Sequence, residues 1–153
     1  MEERWLDRDA IKEIIPHREP MLLVDEARVC TVQDGENPVK TAVGRYTVKG
    51  DEWFLRGHFP GNPVVPGVVL CEMMAQACSV LLSELPEFQD EQGKTPYFTG
   101  LNKVKFRNKV LPGDTLETEC EITRVKKPFC FAVGKGKVNG KLAVSAEFSF
   151  ALM

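Results

Sequence analysis

The sequence is poor in the features that mark disulfide-bonded, zinc-binding and membrane proteins. Its five cysteines form no CxxC pair, and this odd count favours reduced, buried thiols over disulfides or zinc. The longest apolar run, 63–71, is too short to cross a bilayer and is interrupted by Pro66 and Gly67. The N-terminal segment 1–15 is charged throughout, unlike a secretion signal. A net charge of −2 gives no reason to expect nucleic-acid binding over the whole surface. We therefore expect a cytoplasmic, metal-free protein with one domain over residues 1–153.

Hydrophobic periodicity predicts one long helix between two groups of strands. A short amphipathic helix is predicted over 7–15, strands over 21–32 and 40–48, the long helix over 67–84, and a polar surface loop over 84–96. Beyond residue 96 a period of two predicts about four more antiparallel strands, with turns at 111–114 and at Asn139–Gly140. Such a sheet would expose one apolar face to water unless the helix covered it. The pattern therefore predicts an α+β layer.

The predicted long helix carries a single narrow line of polar residues. Glu72, Gln76, Ser79 and Ser83 lie at i, i+4, i+7 and i+11 and therefore share one face, whereas the residues between them are apolar. A solvent-facing stripe is the alternative, but such a face is normally broad and rich in charge, so a lined cavity fits better. A carboxyl group in a cavity is poorly solvated, which favours the neutral form that can donate a proton. A buried glutamate that is merely satisfied by hydrogen bonds remains possible.

The segment GHFPGNPVVPG, residues 57–67, leads into this helix. Pro66 and Gly67 stand where the helix begins, and the first backbone N–H groups there can hold a carbonyl oxygen that gains negative charge. An isolated histidine is more often structural, but His58 is joined to this helix start by a proline-rich loop. A base, amide donors and an acid are together the groups needed for one reaction. In that reaction a proton is removed from the carbon beside a carbonyl group and a hydroxyl group is expelled. His17 has no such neighbours in the sequence and is interpreted as structural.

The segment HFPGNPVVPGVVLCEMMAQ resembles the signature of the β-hydroxyacyl-[acyl-carrier-protein] dehydratases of type II fatty acid synthesis. Segments 15–26 and 100–117 are also similar to that family, in the same order. The resemblance implies a hot-dog fold, in which an antiparallel sheet of about six strands wraps a long central helix. It also implies homodimers, which in this family often assemble into hexamers as trimers of dimers. The implied reaction converts a (3R)-hydroxyacyl thioester into a trans-2-enoyl thioester in fatty acid elongation, without a metal or redox cofactor.

The resemblance also implies roles for individual residues. His58 would take the α-proton as the base, and Glu72 of the neighbouring subunit would protonate the departing hydroxyl. The N–H of Gly67 would polarise the thioester carbonyl, and Gln76 would orient Glu72. The residues expected to bind the acyl substrate are Phe59, Pro66, Val68, Met73 and Phe98.

Three features qualify the resemblance. Glu72, where the isomerising branch typically carries Asp, favours the plain dehydratase. Glu19 stands where the family usually has an aromatic residue, and Val65 where Met is common, which affects packing more than chemistry. The loop 85–95 looks longer than usual, so chain-length preference and tunnel gating stay open.

A run of cations follows in the second half of the chain. Lys103, Lys105, Arg107 and Lys109 alternate with neutral residues, and on a regular strand they would share one face. A solvated strand face is the alternative interpretation. Because acyl carrier protein is strongly acidic, such a patch would steer it to the tunnel mouth, and we predict docking at Lys105 and Arg107.

Two other classes of function remain at this point. A hot-dog thioesterase or enoyl-CoA hydratase would share the fold, although thioesterases usually lack the His-to-Glu segment and a CoA-dependent hydratase would need the basic strand less. A non-catalytic acyl-thioester-binding module would dispense with His58 or Glu72.

Overall fold

The computed structural model describes residues 3–88 and 94–153, in which seven antiparallel strands and one long helix form the fold. The strands are β1 (Glu3–Leu6), β2 (Glu26–Asp34), β3 (Asn37–Thr47), β4 (Pro96–Phe106), β5 (Thr115–Lys126), β6 (Phe129–Val138) and β7 (Lys141–Leu152). The helices are α1 (Arg8–Ile14) and α2 (Gly67–Ser79), with 3₁₀ turns at Trp53–Leu55, Val80–Glu84 and Pro86–Phe88. The sheet order is β1-β2-β3-β5-β6-β7-β4, so β1 and β4 are its edges.

Helix α2 is the centre of the hydrophobic core, as its apolar composition predicts. It packs against β3, β5, β6 and β7, and Met73, Met74 and Cys78 are almost completely buried. By length and composition alone, the stretch Gly67–Glu84 could also span a membrane. However, 67% of that window is buried inside the fold, which identifies it as the core helix. The prediction of a long helix covered by an antiparallel sheet is confirmed.

Several element boundaries differ from the prediction. The long helix changes to 3₁₀ geometry at Val80 rather than continuing to residue 84, and β1 was not predicted. The predicted strand 21–32 begins only at Glu26, because the N–H of Leu23 bonds to a helix side chain instead of a strand. Residues 89–93 of the expected long loop lie outside the described residues.

The hairpin between β6 and β7 confirms the turn predicted at Asn139–Gly140. Both residues have positive φ angles, 51° and 79°, as a two-residue type I′ turn requires. Val138 pairs with Lys141 across the turn. This local turn fixes the register of the two longest-paired strands next to α2.

Strand β3 lies very close to α2 at Gly44. A Cβ atom built on Gly44 would lie 2.5 Å from the Cβ of Ala77, so only glycine fits between the strand and the helix. This contact holds the helix against the sheet at Ala77, the residue directly after Gln76.

We expect Gly44→Ala to lower the free energy of unfolding by about 1 to 3 kcal/mol, because the added methyl group overlaps Ala77. Gly57→Ala is the matched control, since a Cβ at that position meets no atom within 4 Å. Its effect should be within about 0.5 kcal/mol. Chemical denaturation of both variants checks this, and equal stability would show that the strand can move away from the helix without cost.

Candidate active site

The loop that carries His58 is closed by its own backbone hydrogen bonds. The N–H of Val64 donates to the carbonyl of His58 at 2.9 Å, and Phe59 and Asn62 exchange two further bonds at 3.0 and 2.9 Å. Gly61 supplies the positive φ of 71° that this tight loop needs. The imidazole is thus presented by a rigid segment at the start of α2.

The ring of His58 has a defined tautomer. Its Nδ1 lies 2.8 Å from the carbonyl oxygen of Val64. Because a carbonyl oxygen can only accept, Nδ1 carries the hydrogen and Nε2 presents a free lone pair. The ring also stacks on Phe59, with 4.1 Å between centroids. This arrangement is suitable for a base that acts through Nε2.

The start of α2 offers amide donors. Pro66 is the N-cap, and its carbonyl accepts from the N–H groups of Val69 and Leu70 at 3.0 and 3.2 Å. The N–H groups of Gly67 and Val68 have no acceptor within the helix. A Cβ on Gly67 would lie 2.8 Å from the ring of Phe106, so the glycine accommodates an aromatic side chain of the neighbouring strand.

Glu72 is held by a fully buried amide. Nε2 of Gln76 donates to Oε2 of Glu72 and to the carbonyl of Met21, both at 2.8 Å, while Oε1 accepts from the N–H of Leu23 at 2.7 Å. The two main-chain partners fix which end of the amide is the donor, because an N–H cannot accept and a carbonyl cannot donate. The carboxyl group is therefore oriented by the loop 21–23 acting through Gln76.

His17 was interpreted as structural, and the structure instead places it against Glu72. Its Nε2 lies 3.4 Å from Oε2 of Glu72, and the two side chains are 19% and 23% exposed. Nδ1 is buried and has no hydrogen-bond partner among the described residues. Helical periodicity could not find this residue, since it belongs to a loop rather than to α2.

A small cavity lies between α2 and the last strands of the sheet. Its volume is about 30 Å³, and its lining comprises His17, Glu72, Ala75, Gln76, Ser79, Pro96, Phe98 and Phe150. Three of the four residues in the predicted polar line, Glu72, Gln76 and Ser79, line this cavity together with Phe98, whereas Ser83 is exposed. Glu72 is nevertheless partly exposed rather than deeply buried.

The other predicted site residues lie elsewhere. His58 is not among the residues lining the cavity of Glu72. Phe59 and Val68 are 50% and 76% exposed beside the helix start. Met73, expected to bind substrate, packs in the hydrophobic core with 2% exposure because it lies on the sheet-facing side of α2. Within one chain, His58 therefore does not join Glu72 in the lining of this cavity.

The prediction that four cations share one strand face is wrong. Register shifts interrupt β4 between Phe98 and Gly100 and again between Asn102 and Lys105, where Lys103 adopts a positive φ of 51°. The strand also ends at Phe106, before Arg107 and Lys109. The alternation that a regular strand would impose is thus lost.

The cations regroup around the β6–β7 hairpin instead. Arg107 and Lys109 line a surface groove of about 790 Å³ together with Lys141, which the sequence pattern did not single out. Lys105 is exposed but does not line this groove, and Lys103 lies 3.7 Å from Glu147. The basic surface therefore centres on Arg107 rather than on the strand.

The two residues that depart from the family pattern have different surroundings. Glu19 lies 2.9 Å from Arg8 and 3.0 Å from Lys12 of α1. The Arg8 guanidinium is the main cause that lowers the pKa of Glu19 to about 2. Val65 is buried, and its N–H donates to the carbonyl of Val110. Neither residue contacts Glu72.

Comparison with known proteins places the chain in a family of dehydratases and related domains. Residues 15–147 match the FabA-like domain family. The chain is 44% identical to the 3-hydroxyacyl-[acyl-carrier-protein] dehydratase FabZ of Moorella thermoacetica, over 96% of each protein. It is 45% identical to the FabZ of Enterococcus faecalis, over 93% of this chain and 94% of that one.

Among solved structures, the dehydratase heterocomplex ApeI:P of Xenorhabdus doucetiae matches 98% of this chain and 93% of its own with a TM-score of 0.72. At 19% identity, that likeness supports the fold alone. The hot-dog fold expected from the sequence is confirmed, and the match over most of its length shows that the chain belongs to the FabA-like domain family.

Proposed function

We propose that this protein is a cytoplasmic 3-hydroxyacyl-[acyl-carrier-protein] dehydratase, which removes water from a (3R)-hydroxyacyl thioester to give the trans-2-enoyl thioester in fatty acid elongation. The observation that carries the proposal is the 44–45% identity to two FabZ dehydratases over 93–96% of this chain. The chemistry of His58, Glu72 and the start of α2 supports the same reaction. The two products are water and the enoyl thioester, and the reaction involves no oxidation or reduction.

His58 removes the α-proton in this mechanism. Its Nδ1–H is held by Val64, so the free lone pair of Nε2 is available for the substrate. The amide N–H groups of Gly67 and Val68 at the helix start stabilise the negative charge that develops on the thioester oxygen. These three groups belong to one rigid loop-and-helix unit, which keeps their spacing constant.

Glu72 supplies the proton that leaves with the hydroxyl group. Gln76 orients its carboxyl group through two main-chain contacts in the loop 21–23. Phe98 contributes an apolar wall to the same cavity and is suitable for contact with the acyl chain. Met73, being part of the core, would act on the chain only indirectly.

The complete site requires a second copy of the chain, which supplies Glu72 to the His58 of its partner. The edge strand β4 supports this arrangement, because it pairs on one side only and exposes several large apolar side chains. These are Tyr97, Phe98, Leu101 and Phe106, each 40–53% exposed. A second copy seated on this edge would cover them.

The acyl carrier protein docks at the basic groove in this proposal. Arg107 and Lys109 provide positive charge at the end of β4, close in sequence to Phe106, which contacts Gly67. Lys105 adds a further exposed cation on the same strand. An acidic carrier would therefore be steered toward the helix start that receives its thioester.

The first prediction from the proposed function concerns His58 and Glu72. We expect purified protein to convert β-hydroxybutyryl-acyl-carrier-protein to the enoyl product, and His58→Ala and Glu72→Gln each to lower kcat by about 10²- to 10⁴-fold. Absorbance of the enoyl thioester measures the reaction, and circular dichroism verifies folding. Full activity in either variant would contradict the assigned roles.

Mixing the two inactive variants provides the control for a shared site. If His58 and Glu72 of one site come from different copies, dimers re-formed from an equal mixture should recover about a quarter of the wild-type activity, since half of the dimers contain one intact site of two. A site formed within one chain would give no recovery. The double variant His58→Ala/Glu72→Gln should remain inactive in either case.

A second prediction tests the edge strand. Leu101→Lys should dissociate the assembly and reduce activity together, because a charge would be buried at the joined edge. Phe129→Lys is the matched control, since Phe129 is 40% exposed on the interior strand β6. Sedimentation measures the assembly, and dissociation by the control alone would place the interface elsewhere.

A third prediction tests carrier docking. Arg107→Glu should raise KM for the carrier-bound substrate, more at low than at high salt, and leave a small-molecule thioester unaffected. Lys126→Glu, at the opposite hairpin, is the matched charge reversal. Equal effects on both substrates would count against a carrier site at Arg107.

A further inference from the structure

One side chain of α1 contacts both ends of the loop segment 19–25. Nη2 of Arg8 donates to the carboxylate of Glu19 and Nη1 donates to that of Asp25, both at 2.9 Å. The hydrogen bond from Arg8 is the main cause that lowers the pKa of Glu19 to about 2, so this carboxylate is ionised at neutral pH. Asp25 also accepts from the N–H of Thr47 at the end of β3, at 2.8 Å. The planar guanidinium thus joins the start of the segment to its end.

Arg8 also approaches the main chain inside the segment. The carbonyl oxygens of Leu22 and Val24 each lie 3.4 Å from a nitrogen of its guanidinium. These contacts are longer than ordinary hydrogen bonds, so the two carboxylates are the principal anchors. The residue that precedes each of them bonds instead to the side-chain amide of Gln76. Alternate residues of the segment are therefore held by α1 and by α2.

The position of this segment determines the direction of the Glu72 carboxyl group. Nε2 of Gln76 has two hydrogens, and it donates one to the carbonyl of Met21 and the other to Oε2 of Glu72, both at 2.8 Å. A displaced segment would turn the amide or leave one of its groups without a partner. Reaction rates are sensitive to such errors, since a misplacement of about 1 Å can cost about 10²-fold.

Other contacts hold the segment without fixing both of its ends. Lys12 lies 3.0 Å from Glu19 alone, and Lys49 lies 3.6 Å from Asp25 alone. The buried apolar side chains of the segment also anchor it, and each is at most 2% exposed: Leu22, Leu23 and Val24. Apolar contacts are not directional, however, whereas hydrogen bonds to charged groups require a defined geometry. Arg8 therefore supplies direction rather than burial.

We propose that Arg8 is a positioning residue for the proposed acid Glu72, an inference that rests on the function proposed above. Its guanidinium fixes the segment 19–25, the segment fixes Gln76, and Gln76 orients the carboxyl group. Arg8 is not among the residues that line the cavity of Glu72 and acts only through this chain of contacts. Because ion pairs at about 30% exposure contribute little to the free energy of unfolding, the role concerns geometry more than stability.

Steady-state kinetics with β-hydroxybutyryl-acyl-carrier-protein tests this role. Arg8→Met should lower kcat by about 5- to 50-fold and leave KM within about 2-fold, because the orientation of the acid matters in the transition state rather than in binding. Arg8→Lys should be intermediate, since an ammonium group cannot hold both carboxylates in the same geometry. Arg45→Met is the matched control. Arg45 also bridges two carboxylates, those of Glu26 and Glu117, at 37% exposure, but on β3, and its kcat should stay within about 2-fold of wild type.

A double variant tests whether Arg8 acts through Glu72. If it does, adding Arg8→Met to Glu72→Gln should change the residual kcat, measured at high enzyme concentration, by less than about 2-fold. Independent effects would multiply instead. Hydrogen exchange gives a measurement that does not depend on activity. The N–H of Leu23 should exchange about 10-fold faster in Arg8→Met, whereas amides of the central strands should be unchanged.

The outcomes separate this inference from the proposed function. Wild-type kcat in Arg8→Met, multiplied effects in the double variant, or unchanged exchange at Leu23 would each overturn the positioning role and leave the dehydratase function intact. An inactive wild-type protein would overturn the proposed function, and the positioning role with it. If Arg8→Met does not fold by circular dichroism, Arg8→Lys decides the question, and a kcat equal to that of Arg45→Lys would overturn the role.

Discussion

The candidate site depends on one buried amide. Gln76 binds the main chain at Met21 and Leu23 and the side chain of Glu72 at the same time. Each of these partners would cost free energy if it were left buried without a hydrogen bond, so the loop and the helix position one another. The bond between Leu23 and Gln76 also explains why β2 begins only at Glu26. The N–H of Leu23 donates to a side chain of α2 and is therefore not available to a neighbouring strand.

The remainder of the site is built from the two ends of one short segment. The loop from His58 to Val65 is closed by its own backbone bonds, and it passes directly into α2 through Pro66. His58 and the amide N–H groups of the helix start are consequently held together, whereas Glu72, further along the same helix, lines a cavity that His58 does not line. In the proposed reaction, a second copy of the chain would bring His58 and Glu72 together. The exposed apolar edge of β4 is the surface proposed for that contact.

Sequence reasoning succeeded where the determining interactions are local. The helical spacing of Glu72 and Gln76 placed them on one line, and the dipeptide Asn139–Gly140 specified its turn, because both signals lie within a few residues. It failed where the determining contact is distant. The hydrogen bond between Leu23 and Gln76 joins residues 53 positions apart, and nothing near Leu23 distinguishes it from a strand residue. His17 was interpreted as structural for the same reason, and Lys103 was placed on a regular strand because a bulge depends on the partner strand.

The contact between Phe106 and Gly67 joins the sheet edge to the helix start. The ring of Phe106 occupies the space that any larger side chain at residue 67 would need. Phe106 is also the last residue of β4, the strand at one edge of the sheet. A second copy packed against this edge would contact the ring of Phe106 and so affect its position beside the N–H group of Gly67. Under that arrangement specific activity would depend on protein concentration, and a dilute solution would contain fewer competent sites per molecule rather than only fewer molecules.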